Sequence, residues 1–128
     1  MSDYHNTPVL EFHRAFDHPV TYAPTVPTLP LRKLRVRLIA EELIEFAEAS
    51  GLSLAIHGEM VTLMESGKSV DLVECADALG DLRYVVDGAN LVYGFPGEAV
   101  LMEVHRSNMS KLGPDGKPIY RGDHKVLK

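Results

Sequence analysis

The fold is decided by residues 30–51, whose sequence is PLRKLRVRLIAEELIEFAEASG. Pro30 suits the first turn of a helix, where its missing N–H needs no partner, and the helix is expected to run to about Ser50 and Gly51. One stripe of this helix carries three leucines at i, i+3 and i+7 spacing: Leu31, Leu34 and Leu38. Glu42 and Glu45 continue the same line. The helix is therefore expected to place acids on its apolar side.

A second helix of this kind is predicted from Ser69 to about Tyr93, where Gly94 and Pro96 follow and stop it. Its stripe begins at Val70, continues through three acids and returns to apolar residues: Glu74, Asp77, Asp81, Tyr84 and Val85. Packing the two stripes together gathers about five carboxylates, and an unpaired buried ion costs several kcal/mol. A cation is therefore expected among them. Ligands that are all oxygen favour Mg²⁺ or Mn²⁺.

Acidic helix runs of this kind also occur without a bound Mg²⁺ ion. In a solvated helix face the acids simply follow i, i+3 and i, i+4 spacings, as these four do: Glu41, Glu42, Glu45 and Glu48. A solvated face accounts for one such helix; two helices that both place acids on an apolar stripe favour the metal site over a solvated face. A di-iron carboxylate bundle would instead require Glu-x-x-His pairs. Here Glu45 and Asp77 stand at the matching positions.

The rest of the chain completes a single all-α domain over residues 1–128, a bundle of about four helices. Residues 1–28 are expected to form a first helix that ends before Pro19 and then a Pro-rich connection. A small hairpin is predicted at residues 53–65. The fourth helix is expected from Gly97 to Leu112, followed by a basic tail over residues 113–128.

Composition excludes several classes of function. The formal net charge is −5 and the pI is about 5.6, which argues against binding to nucleic acid or to an anionic membrane. No signal sequence and no run of about 18 apolar residues is visible, so the cytoplasm is the expected location. The single cysteine, Cys75, excludes a disulfide within the chain.

Four cations near the start of the first acidic helix oppose the preference of the helix dipole: Arg32, Lys33, Arg35 and Arg37. Attraction to phosphates would account for them. Solvation would account for them as well, and so would pairing with acids, as between Arg37 and Glu41.

The acidic motifs resemble those of a known superfamily, the all-α nucleoside triphosphate pyrophosphohydrolases of the MazG-like and phosphoribosyl-ATP pyrophosphatase type. Its signature is Glu-Glu-x-x-Glu on one helix and Glu-x-x-Asp on the next. Residues 41–45 (EELIE) and 74–77 (ECAD) match it, and residues 76–82 (ADALGDL) are similar to the core of the family's third helix. The resemblance covers roughly residues 31–111.

This resemblance implies roles for particular residues. Four would be metal ligands: Glu42, Glu45, Glu74 and Asp77. Glu41 would position or activate water as the catalytic residue. Asp81, Asn108 and Lys111 would contact the substrate, although Asn108 and Lys111 also suit the end of a helix as capping groups.

The resemblance also implies an activity: Mg²⁺-dependent cleavage, with Mn²⁺ as a possible substitute, of the α–β bond of (deoxy)nucleoside triphosphates. Two alternatives stay open, a phosphoribosyl-ATP pyrophosphohydrolase of histidine biosynthesis and a nonenzymatic, nucleotide-binding helical oligomer. Because the third helix is apolar around much of its circumference, a homodimer or homotetramer is expected to complete the bundle.

Overall fold

The structure, a computed structural model, describes residues 8–119. It contains four helices and one antiparallel hairpin in this order: α1 Pro8–Ala15, α2 Leu29–Ala49, β1 Leu52–His57, β2 Met60–Glu65, α3 Leu72–Tyr93 and α4 Gly97–Met109. The fold is therefore mostly helical, as expected, with a small two-stranded sheet in addition. The predicted hairpin is confirmed, and its register pairs Leu52 with Glu65 and His57 with Met60.

Among the elements of residues 8–119, the helices α2 and α3 share the largest interface, and they carry the acidic residues. Two small residues, Ala47 on α2 and Ala78 on α3, are buried. Each offers only a methyl group, which allows helix backbones to approach closely. The hairpin connects the end of α2 to the start of α3, so the two helices run in opposite directions.

The start of α3 differs from the prediction by three residues. The helix begins at Leu72 rather than at Ser69, because the Asp71 side chain caps it by accepting a hydrogen bond from the backbone N–H of Glu74 at 3.1 Å. The predicted end is confirmed, since Gly94 follows Tyr93 in the left-handed conformation with φ 77°.

The Pro-rich connection between α1 and α2 is tied to the C-terminal end of α3. The backbone N–H of Thr21 donates to the Leu91 carbonyl at 2.8 Å, and that of Thr25 donates to the Tyr93 carbonyl at 2.9 Å. These bonds satisfy carbonyl groups that the end of a helix leaves free. The buried apolar cluster of Val9, Leu10 and Leu91 lies beside them, with Val20 against it.

The fourth helix is short and open to solvent. It ends at Met109 rather than at Leu112, and none of its residues is buried. Residues 114–116 form the predicted turn. Residues 120–128 of the predicted tail lie outside the described residues, as do residues 1–7 of the predicted N-terminal region. Within the described part of the chain, no helix has the length and apolar character needed to cross a membrane.

Candidate functional site

Three carboxylates from two helices form a compact group, here called the carboxylate cluster: Glu42, Glu45 and Asp81. One carboxylate oxygen from each lies within 4.8 Å of the others. Glu42 and Glu45 are one turn apart on α2 and therefore share a face. Asp81 comes from the facing side of α3. The structure thus brings together two predicted metal ligands and one residue predicted to contact substrate.

The electrostatics of the cluster centre on Glu42. Burial raises the pKa of this carboxyl to about 7, helped by a hydrogen bond with Glu45 and by the charges of Glu45, Asp81 and Glu41. Its Oε2 atom is buried and has no hydrogen-bond partner. A carboxylate that is crowded by like charge and lacks a donor is stabilised by a cation.

Glu74 and Asp77, the other two predicted metal ligands, lie beside the cluster rather than in it. They line a cleft of about 550 Å³, here called the acidic cleft. Glu45 lines the same cleft and so belongs to both groups. All four predicted ligands are therefore placed along one connected acidic region, with Glu45 in its middle.

Three further charged residues line the acidic cleft, and the sequence does not predict them there: Glu48, Lys68 and Asp71. Glu48 follows Glu45 by one helical turn, and this spacing is the available signal, although it equally fits a solvated face. Asp71 is placed by its capping role. Lys68 follows the hairpin, where helical periodicity gives no information. It supplies a positive charge to a mainly acidic cleft.

The remaining predicted residues lie outside these two groups. Glu41 is exposed and contributes its charge to the raised pKa of Glu42. Lys111 donates a hydrogen bond from Nζ to Oδ1 of Asn108 at 2.7 Å, so the two side chains hold each other. Neither Asn108 nor Lys111 is among the described residues that line the acidic cleft. Their contact with substrate stays a prediction.

The donor set of the cluster fits a hard divalent cation. All three groups are carboxylates, and Oε2 of Glu42, which has no hydrogen-bond partner, is an acceptor that a cation would satisfy.

The sequence assigns no function to His13. The structure buries this side chain where α1 contacts α3.

One of the comparisons with known proteins identifies the family of the chain. The chain matches the model of the phosphoribosyl-ATP pyrophosphohydrolase family over residues 9–108, which covers α2, the hairpin, α3 and nearly all of α4. The comparison with curated proteins gave no match. The family match spans most of the chain and includes every residue of the carboxylate cluster. The chain therefore belongs to the phosphoribosyl-ATP pyrophosphohydrolase family and is a hydrolase of phosphorus-containing anhydrides.

Proposed function

We propose that the protein is a Mg²⁺-dependent pyrophosphohydrolase that cleaves the α–β bond of phosphoribosyl-ATP. Water attacks the α-phosphorus, the bond from that phosphorus to the bridging oxygen breaks, and pyrophosphate leaves. The other product is phosphoribosyl-AMP. The family match over residues 9–108 carries this proposal, because it is the observation that favours one substrate over other triphosphates.

In this proposal, four residues would hold Mg²⁺: Glu42, Glu45, Glu74 and Asp77. Asp81 would join them or orient substrate beside them. A Mg²⁺ ion held there would supply positive charge that neutralises the triphosphate and makes water easier to deprotonate. Glu41 orients the attacking water from its exposed position next to Glu42. Lys68 faces the leaving pyrophosphate from the rim of the acidic cleft, where its charge opposes the developing negative charge.

Unmodified (deoxy)nucleoside triphosphates are the second candidate substrates. The charged residues gathered in the acidic cleft are carboxylates and one lysine, and such groups select a metal-bound triphosphate without reading the base. The cleft by itself therefore treats the two substrate classes alike. The nonenzymatic alternative loses its support, because the family is one of hydrolases.

The proposed enzyme is a homodimer or homotetramer. The α4 helix has few contacts with the rest of the described chain and exposes three neighbouring apolar side chains: Val100, Leu101 and Val104. Leu101 is 56% exposed and Val104 is 50% exposed.

Product analysis tests the reaction. The protein is incubated with Mg²⁺ and either phosphoribosyl-ATP or a panel of ribo- and deoxynucleoside triphosphates, and pyrophosphate is separated from orthophosphate. We expect pyrophosphate, with the highest kcat/KM for phosphoribosyl-ATP. Glu45→Ala and Asp77→Ala should each lower turnover by more than the roughly 10- to 100-fold that loss of an outer-shell partner costs a metal site.

The matched control is Glu59→Ala, which removes an exposed acid from the hairpin turn and should leave turnover unchanged. Circular dichroism verifies that each variant keeps its helices. Orthophosphate as the product would contradict α–β cleavage. Full activity in both Glu45→Ala and Asp77→Ala would contradict the assigned metal ligands.

A further inference from the structure

A second cavity opens where the hairpin packs against α2, and it is here called the hairpin cavity. Its volume is about 240 Å³, and Ile44, Leu52 and Leu54 are among the residues that line it. Pockets that enclose a whole drug-sized ligand measure roughly 300–1,000 Å³. The hairpin cavity is smaller, so it accommodates one part of a nucleotide rather than the whole molecule.

Two elements form the apolar side of the hairpin cavity. Leu52 and Leu54 are two residues apart on β1, so they lie on the same face of the strand. Both are half-buried, whereas Ile44 of α2 is 46% exposed. The cavity therefore presents an aliphatic surface that water reaches. Covering this surface with the face of a heterocyclic ring would be favourable, because it removes apolar area from water.

The hairpin cavity and the acidic cleft share two side chains, those of Glu48 and Lys68. Glu48 follows Ile44 by one turn of α2, so the two residues lie on the same face of the helix. Neither Glu48 nor Lys68 forms an ion pair among residues 8–119. A ligand whose phosphates lie in the acidic cleft can therefore extend past these two side chains into the hairpin cavity.

The end of α2 holds the backbone around Lys68 in place. The backbone N–H of Ser66 donates to the Gly51 carbonyl at 2.9 Å, and that of Asp71 donates to the Ala49 carbonyl at 2.9 Å. Gly51 has φ 71°, and a Cβ atom there would come within 2.8 Å of the Lys68 carbonyl oxygen. The boundary between the two cavities is therefore formed before a ligand binds, which lowers the cost of ordering it on binding.

Polar groups stand beside the apolar side of the hairpin cavity. The hydroxyl oxygen of Ser66 accepts a hydrogen bond from the backbone N–H of Lys68 at 3.3 Å, and its proton remains available to donate. The Glu48 carboxylate can only accept when ionised. A nucleotide base has an apolar face and an edge of donors and acceptors, which matches this lining. A phosphate group would instead meet aliphatic side chains and the negative charge of Glu48.

We propose that the hairpin cavity binds the base of the nucleotide substrate and that Ile44 and Leu54 determine the affinity for that base. The inference rests on the proposed function, because it takes the triphosphate to lie in the acidic cleft. The face of the base lies against Ile44 and Leu54, and its polar edge lies toward Ser66 and Glu48. The acidic cleft binds any metal-bound triphosphate, and the hairpin cavity distinguishes one base from another.

The first test closes the cavity with a larger side chain. In Ile44→Trp we expect kcat/KM for the best nucleotide substrate to fall at least about tenfold, mainly through KM, since even one methylene in a hydrophobic pocket has an effect of that size. Inhibition by inorganic triphosphate with Mg²⁺ should be unchanged, because this anion has no base. Met60→Trp is the matched control, at a 67% exposed position beside the hairpin turn, and should change neither quantity.

Adenosine, which has no phosphate, tests the cavity without turnover. In protein with ¹³C-labelled isoleucine and leucine methyl groups, adenosine should shift the resonances of Ile44, Leu52 and Leu54 and leave that of Ile56 in place. Ile44→Ala is a second variant for the case that Ile44→Trp fails to fold, because alanine favours the helix. It should weaken adenosine binding about tenfold.

An unchanged KM in Ile44→Trp and in Ile44→Ala would overturn the base subsite and leave the proposed function intact. Adenosine shifts that omit Ile44 and Leu54 would overturn it as well, and so would an equal loss in Met60→Trp. Weaker inhibition by inorganic triphosphate in Ile44→Trp would show that the variant disturbs the acidic cleft, which contradicts a role confined to the base. A wild type that binds adenosine at Ile44 and Leu54 but cleaves no triphosphate would refute the proposed function and leave the base subsite standing.

Discussion

Among single residues, Glu42 is the one whose protonation we expect to be coupled to metal binding. Its pKa of about 7 lies above the ordinary 4.5, so the folded chain holds a proton on this carboxyl between those pH values while the unfolded chain does not. Without metal, its contribution to the free energy of unfolding therefore falls as pH rises through this interval. A bound cation must displace the same proton.

We predict that Mg²⁺ binds more tightly at pH 8 than at pH 6, because the proton and the metal compete for Glu42. Below the pKa the affinity should change by up to about tenfold per pH unit if one proton is released. Calorimetry in buffers of different ionisation enthalpy measures both the affinity and the protons released.

Glu42→Gln is the control for this competition. The variant should bind Mg²⁺ more weakly at both pH values and release no proton from residue 42. Equal Mg²⁺ affinity of the wild type at pH 6 and pH 8 would mean that Glu42 does not contact the metal.

Among the elements, the junction of α3 with the Pro-rich connection depends on a residue without a side chain. Gly94 has φ 77°, and a Cβ atom there would overlap the carbonyl oxygen of Ala23. Gly94→Ala therefore adds steric overlap to the backbone strain of about 1–3 kcal/mol expected for such a conformation. We predict a loss of stability larger than that strain, measured as the free energy of unfolding in urea.

Gly58→Ala is a matched control in the hairpin turn. Gly58 also has positive φ, 60°, but nothing lies within 4 Å of the position of its Cβ atom. Gly58→Ala should lower the free energy of unfolding only by the amount of this backbone strain. Equal losses in the two variants would show that the connection moves away from Gly94 at no cost.

Local signals in the sequence predict most of these elements. The structure confirms three of these predictions: the start of α2 near Pro30, the end of α3 before Gly94, and the hairpin. The predicted start of α3 is three residues too early, because Ser69 and Asp71 are both acceptable caps and only the folded hairpin determines which one is used.

The candidate site is less accessible to sequence reasoning. Helical spacing predicts that Glu42 and Glu45 lie close together. Their proximity to Asp81 depends instead on the axial position of α3 relative to α2, which spacing within one helix does not give. The burial of Arg35 does not follow from the sequence, because a cation on a helix usually indicates a solvated face and only the packing of α1 against α3 covers this one.

At the scale of the whole molecule, the uncovered α4 predicts assembly. Leu101→Glu places a charge on its apolar side and should convert the oligomer to monomers, because burying an unpaired charge is costly. Sedimentation velocity measures the mass.

Ala99→Glu adds the same charge about 160° around α4 from Leu101 and should leave assembly intact. A wild type that sediments as a monomer at micromolar concentration would contradict the proposed homo-oligomer.

Glu45 has a consequence for how the two acidic groups can be studied. This one side chain belongs to both the carboxylate cluster and the acidic cleft. A substitution at Glu45 therefore changes both groups at once, whereas substitutions at Asp81 or Asp77 change one group each.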